Sequence, residues 1–259
     1  MILQALVEYY EDLERAGKIS APGWGPAKIS YVLYLRADGQ LEQATCIKVA
    51  SENGKKLVPQ VLSLPAGVKR SVGIASNFLW DNAAYILGIT AEKDKAERAL
   101  RCREACAKLH LQLLAHVDSP AARALKEFFT TWNPGEAMEH PLLQDCLEDI
   151  LSGANLTFRF QGKYVSEDPE IRAAWQNHYE GAEDGAEMTC LVTGKRGTVA
   201  RLHPAIKGVQ GAQSSGASLV SFNAASFCSY GKEQGFNAPT SEYAAFAYGA
   251  ALNYLLTDW

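Results

Sequence analysis

Carboxylates are missing from long stretches of a chain that is otherwise acidic. Between Met188 and Lys232 there is no Asp or Glu, although the 259 residues carry a net charge of −4. Two shorter windows, between Glu52 and Asp81 and between Arg15 and Arg36, are also free of acids. Carboxylate catalytic pairs and carboxylate-bearing metal clusters are thereby excluded from within these stretches. The net charge also excludes a protein that is basic all over, so a surface for a polyanion must be made locally, by segregating charge.

Other absences narrow the chemistry further. Among the six cysteines, Cys102 and Cys106 lie one helical turn apart, and no second pair follows at a finger-like distance. Buried or free thiols are therefore expected in place of a zinc site. None of the five histidines (His110, His116, His140, His178, His203) pairs with a Ser or Cys in a nucleophile motif. The longest acid-free window has no phosphate cradle, nucleophile elbow or dinucleotide fingerprint. The acidic run Glu180-Gly181-Ala182-Glu183-Asp184 lacks the ligand alternation of a calcium loop. Neither a secretory signal at Met1-Ile2-Leu3-Gln4 nor an apolar run of membrane-spanning length is present. The expectation is a cytoplasmic protein that is not an enzyme and uses no cofactor or metal.

A hydrophobic content of 47% over this length suits one large domain or two modest ones, with cores that need no disulfides. Leu3, Leu6, Val7, Tyr10 and Leu13 recur at helical spacing, which predicts an amphipathic helix over 2–16. Pro22-Gly23-Trp24-Gly25-Pro26 reads as a rigid loop, and Ile29 to Leu35 as a strand that turns at Asp38-Gly39 into a second arm, Leu41 to Val49. A third strand is expected over 58–64. Helices follow over 91–117, from Ser119-Pro120 to Trp132, and over 141–151. Strands are then expected over 156–160, 163–165, 188–192, 198–202 and 218–222, a helix from Asp168-Pro169, and a last helix capped by Ser241. The fold expected is α+β: antiparallel strands from both ends of the chain forming a sheet or open barrel, with a helical subdomain inserted at about 91–151.

The middle of the longest window runs from His203 through Lys207 and three glycines to Gly216. Lys195, Arg196, Arg201, Lys207 and Lys232 supply positive charge, while Gln210, Gln213, Ser214 and Ser215 supply neutral donors and acceptors. A solvent loop between strands and a contact loop for a polyanion both fit this composition. The window between Glu52 and Asp81, with Lys69, Arg70 and Asn77, admits the same two readings. Neither window selects DNA over RNA.

Two longer motifs carry a resemblance. They are Asn77-Phe78-Leu79-Trp80-Asp81-Asn82 leading to Tyr85-Ile86-Leu87-Gly88, and above all the run Lys207-Gly208-Val209-Gln210-Gly211-Ala212-Gln213-Ser214-Ser215-Gly216 through Asn223. With Tyr230-Gly231-Lys232-Glu233-Gln234 and Asn237-Ala238-Pro239, they make the chain resemble the large subunit of the type I-C CRISPR interference complex, the Csd-type subunit of Cascade. The resemblance spans 1–259 and implies the amino-terminal domain of such a subunit, without the carboxy-terminal helical region that family members add.

It further implies recognition of the protospacer-adjacent motif in double-stranded DNA, help in strand separation, and a surface for the helicase-nuclease. Implied partners are target DNA, the crRNA, the other subunits of the complex and the helicase-nuclease, with phage-encoded inhibitor proteins as further candidates. No membrane is implied. On the resemblance, Asn77, Gln210 and Gln213 are expected near base edges. Lys69, Arg70, Lys207 and Lys232 are expected on phosphates, and Ser214 and Ser215 as backbone contacts. Lys28, Lys55, Lys56, Lys195 and Arg196 are weaker candidates. The alternative from another class is a protein-interaction scaffold whose basic loops face the crRNA handle or the backbone subunits.

Overall fold

A computed structural model describes residues 1–51, 54–68, 70, 73–181, 186–213 and 216–257. The chain forms two compact units, Gly23–Glu180 and Met1–Pro22 with Gly181–Trp259. Helix α1 (Ile2–Arg15) precedes strands β1 (Trp24–Ile29), β2 (Tyr31–Leu35), β3 (Leu41–Cys46), β4 (Val49–Ala50), β5 (Leu57–Val58), β6 (Gln60–Pro65) and β7 (Trp80–Asn82). Four helices follow: α2 (Ala83–Ile86), α3 (Ala96–Leu113), α4 (Pro120–Thr131) and α5 (Leu147–Leu151). The rest comprises β8 (Asn155–Phe160), β9 (Lys163–Tyr164), α6 (Pro169–Gly181), β10 (Glu187–Thr189), β11 (Arg196–Thr198), β12 (Ala205–Ile206), β13 (Ala217–Ser218) and α7 (Glu242–Thr257). This is an α+β fold.

In the Gly23–Glu180 unit a five-stranded sheet has the order β3-β2-β8-β7, with β9 also on β8. β2 and β3 form the expected hairpin, but β2 and β8 run parallel, so the sheet is mixed where an antiparallel one was expected. The helices of the expected insertion lie between β7 and β8, which are themselves paired antiparallel. Ser119 starts α4 by accepting a hydrogen bond from Ala122 N–H at 3.2 Å, with Pro120 in the first turn, where its missing N–H costs nothing. The face behind that cap buries Ala122, Leu125, Phe128 and Phe129. Phe128 and Phe129 meet Phe158 of β8 edge-on at 5.3 and 5.8 Å, which joins the insertion to the sheet.

The other unit is built on α1 and α7. Val7 and Tyr10 of α1 pack on a row of small residues in α7, Ala244, Ala245, Ala247 and Ala251, around the fully buried Tyr248. The alanines leave room for a second layer, in which Cys190, Val192, Ala200 and Ile206 complete the core. Strands β10 with β11, and β12 with β13, make separate two-stranded ribbons. Among the described residues, no strand from this part of the chain joins the five-stranded sheet, and neither a sheet drawn from both ends nor a barrel forms. The strand expected over 218–222 ends at Ser218, after two residues of pairing with Ala205–Ile206. No helix among the described residues is long and apolar enough to cross a membrane.

Candidate nucleic-acid interface

Helix α7 acts as a spine for the acid-free segment. Ser241 caps its start by accepting from Ala244 N–H, and the segment from Val199 to Gly208 lies along it. Val199 bridges to Ser241, and Ala200 N–H donates to Thr240 O at 2.9 Å. Farther along, His203 Nδ1 meets the Tyr248 hydroxyl at 2.5 Å, and Gly249 abuts Pro204 so closely that a Cβ there would stand 2.4 Å from its ring. Burial raises the Tyr248 pKa to about 12 and lowers that of His203, which favours the uncharged form of both partners. At the far end Lys207 N–H donates to Asn253 Oδ1 at 2.7 Å, and Asn253 Nδ2 donates back to Ala205 O at 3.1 Å. The two ends of this track are separated by roughly 20 Å of helix at 1.5 Å per residue.

The Asn253 clamp and the Ile206–Ala217 pair form the neck of the loop that begins at Lys207. Two glycines make the neck tight. Gly208 has φ of +77° with Leu256 O 3.3 Å from the place of a Cβ, and Gly216, at +102°, would push a Cβ to 2.8 Å from Ala205. Beyond the neck, Lys207, Gln210 and Gln213 are exposed. Backbone hydrogen bonds run from Ala212 N–H to Val209 O at 3.1 Å and from Gly216 N–H to Gln213 O at 2.9 Å.

Lys232 belongs to a second loop, anchored at the other end of α7. Gly235 N–H donates to Arg201 O at 3.1 Å, and the packing is so close that a Cβ on Gly235 would lie 1.9 Å from Ala200 O. Arg201 Nε donates to Gln234 Oε1 at 3.0 Å. Asn237 ties the loop across itself: its Oδ1 accepts from Ser229 N–H at 2.8 Å, and its Nδ2 donates to Lys232 O and Gln234 O. Lys232 is exposed on this frame.

Lys195 and Arg196, at the β10–β11 turn, are exposed beside a hollow of about 250 Å³ that Thr193, Ser241 and Tyr243 also line. Beneath that turn sits Cys190. Burial works to raise its thiol pKa, but hydrogen bonds from Thr193 and Ser241 outweigh burial and bring it to about 7.

In the Gly23–Glu180 unit the expected contact residues are held differently. Asn77 is buried, and its Oδ1 accepts from Val68 N–H at 2.9 Å while its own N–H donates to Asp81 Oδ2. Arg70 forms a two-pronged ion pair with the buried Asp81, donates through Nε to Ala75 O, and lies 4.1 Å above the Tyr85 ring. Asp81 thus gathers Arg70, Asn77 and the Asn82 N–H on one carboxylate. The amide oxygen of Asn77 and the guanidinium of Arg70 hold this loop in shape; Asn77 is buried, whereas Arg70 stays partly exposed. Lys28, Lys55 and Lys56 are exposed. Lys69, Ser214 and Ser215 lie outside the described residues.

Sequence reasoning missed Asp81, Asn253 and Asn237. Asp81 marks the end of an acid-free window that holds Arg70, and an acid at the border of such a basic window is the one signal that could have found it. The two asparagines act on backbone groups far from them in sequence, and nothing in the local pattern shows that. Among the described residues no group of three or more His, Cys, Asp or Glu could hold a metal ion. No curated protein matches the chain. Residues 6–258 match the model of the family described as CRISPR-associated protein (Cas_Csd1).

Proposed function

The chain belongs to the CRISPR-associated Cas_Csd1 family, and from that membership we propose that it is a non-catalytic DNA-contacting module that recognises the protospacer-adjacent motif. The family indicates a subunit of a type I-C, Cascade-like complex, with the other subunits as partners. In the proposed role the chain is the amino-terminal part of the large subunit. It reads a short duplex motif, helps to open the strands and offers a surface to the helicase-nuclease, while guide pairing reads the remainder.

One observation carries the proposal: an acid-free segment laid along α7 holds out Lys207, Gln210 and Gln213 on a narrow-necked loop. Cations there neutralise phosphates and fix register, and the glutamine amides can bond base edges. Lys232 adds a phosphate contact at the other end of the helix. Arg70 and Asn77 act as positioning residues that shape their loop through Asp81. The test is duplex binding by the reconstituted complex over a set of motif variants. Gln210→Ala and Gln213→Ala are expected to relax the preference among motifs by about tenfold per lost contact, with little change on non-motif DNA. An unchanged preference in both variants would remove the loop from motif reading.

A second role has its own observation. In the Gly23–Glu180 unit Val49, Leu57, Val58 and Val61 are all exposed, on the short ribbon β4–β5 and the adjoining β6. Exposed apolar side chains on ribbon strands suit docking to a neighbouring protein subunit.

A further inference from the structure

Tyr230 is 100% exposed, and its φ of 53° places a non-glycine residue in the left-handed region. A large ring held fully in water gains nothing from burial, and the left-handed backbone beneath it is strained. Folding alone gives no reason for either feature. Glycine, which follows at position 231, would satisfy the turn more cheaply.

The base of this loop is the opposite of loose. Asn237 bonds three backbone groups of residues 229–234, Gly235 is jammed against Ala200 O, and Gln234 is tied to Arg201. The ring is therefore presented from a rigid frame, as a side chain must be if it is to bind without a large ordering cost. Its surroundings point to the partner. The chain neighbours of Tyr230 are Ser229 and Gly231, followed by exposed Lys232. The whole approach from Met188 carries no acid. A protein hot spot needs a continuous apolar collar to exclude water around its central ring, whereas within 224–233 the exposed Phe227 is the one other large apolar side chain, set among Ser226, Ser229, Lys232 and Glu233. An unpaired base needs only one open aromatic face, with cations nearby for the flanking phosphates.

We propose that Tyr230 is a stacking platform for an unpaired nucleobase, the element that receives a base as the duplex opens. This rests on the nucleic-acid reading above and adds to it the residue that holds the strands apart. Arg201 and Lys232, at the base and flank of the same loop, would take the phosphates on either side. The anchors of this loop and of the Gln210–Gln213 loop stand roughly 20 Å apart along α7. At 3.4 Å per base pair that is about six pairs of duplex, so one loop can read the motif while the other meets the first opened base beyond it.

The test uses the reconstituted complex and duplexes carrying 2-aminopurine at single positions through the motif and the adjoining target. A parallel set places the probe in the guide RNA. Tyr230→Phe and Tyr230→Trp are expected to keep the stacking signal at one or two positions. Tyr230→Ala is expected to abolish it and weaken binding about 5- to 150-fold, the usual effect of losing one base–aromatic stack. A signal in the DNA set identifies the target strand as the source of the base and supports the proposal; a signal only in the RNA set would place a guide base on the ring and overturn the strand-opening role. If Tyr230→Ala leaves signal and affinity unchanged while Lys207→Ala weakens binding, stacking is refuted and the nucleic-acid reading stands. If neither substitution affects binding, that reading itself fails. Loss of Tyr230→Ala from the assembled complex, with the purified variant still folded, would show that the ring meets a protein and would overturn the proposal.

Discussion

His110 Nε2 accepts a hydrogen bond from the backbone N–H of Leu79 at 2.9 Å, and Leu79 sits at φ of 65°, in the left-handed region that leucine avoids. The ring's other nitrogen donates to Cys106 O at 2.8 Å, so the imidazole is neutral with both nitrogens satisfied. It is fully buried between Phe78 and Phe129, whose ring centres lie 4.9 and 4.1 Å away. A helix of the insertion thereby fixes the strained turn that leads into β7.

This arrangement predicts acid sensitivity. Burial, aided by the nearby Arg103 charge, lowers the His110 pKa to about 3, against about 6.5 in an unfolded chain. The unfolded state therefore binds the extra proton between those values. The contribution to stability is complete above pH 6.5 and is lost progressively as pH falls towards 3, by roughly 1 kcal/mol per pH unit. Denaturant melts between pH 7 and 4 should show that slope. His110→Ala should flatten it while lowering stability at pH 7 by roughly 3 kcal/mol, through a cavity and an orphaned Leu79 N–H.

Arg70 and Asp81 form a second testable pair. Removing the arginine leaves a buried carboxylate without its counter-charge. Arg70→Ala should therefore cost about 2 kcal/mol, less than for a fully buried pair because Arg70 is itself partly exposed. Adding Asp81→Ala should recover part of that loss. A double-mutant cycle that shows no coupling would mean that the pair does not hold the loop.

Gly235 and Gly231 should respond unequally to the same change. Alanine at 235 would place a methyl 1.9 Å from Ala200 O, whereas at 231 it meets nothing within 4 Å and only the φ of 69° resists it. The expected costs are about 3 kcal/mol or more for Gly235→Ala and about 1 kcal/mol for Gly231→Ala. Thermal melts of the purified chain compare the two directly.

Asn253→Ala removes both side-chain hydrogen bonds at the neck of the Lys207 loop. A loss of about 1 kcal/mol is expected, with faster amide exchange at Lys207 while the protection of α1 is unchanged.

Strong local signals made much of the fold legible. The spacing of Leu3, Leu6, Val7 and Tyr10 gives α1, Ser119-Pro120 gives the start of α4, and Ser241 gives that of α7. The same signals fail where pairing is distant or weak. Pro22 to Pro26 reads as a loop, yet β1 starts at Trp24, because a proline is tolerated in a ribbon where its missing N–H breaks no central ladder. Alternation along Leu156 to Phe160 shows a strand but not that its partner, more than a hundred residues away, runs parallel.

At the site, the missing acids expose Lys207, Gln210 and Gln213 correctly as a surface loop. An asparagine in sequence does not reveal whether its partner is a base or its own backbone, so Asn77 reads the same either way. Tyr230 stands in a motif that carries the family resemblance, but nothing in the sequence shows that its ring is fully exposed.

The central claim is that the loop from Lys207 lies against a phosphate backbone. Its most direct test is the salt dependence of duplex binding by the reconstituted complex, with and without Lys207→Ala. The log–log slope should fall in magnitude by about one, with affinity reduced to a similar degree on every motif. A slope and affinity identical to those of the unaltered complex would contradict the account.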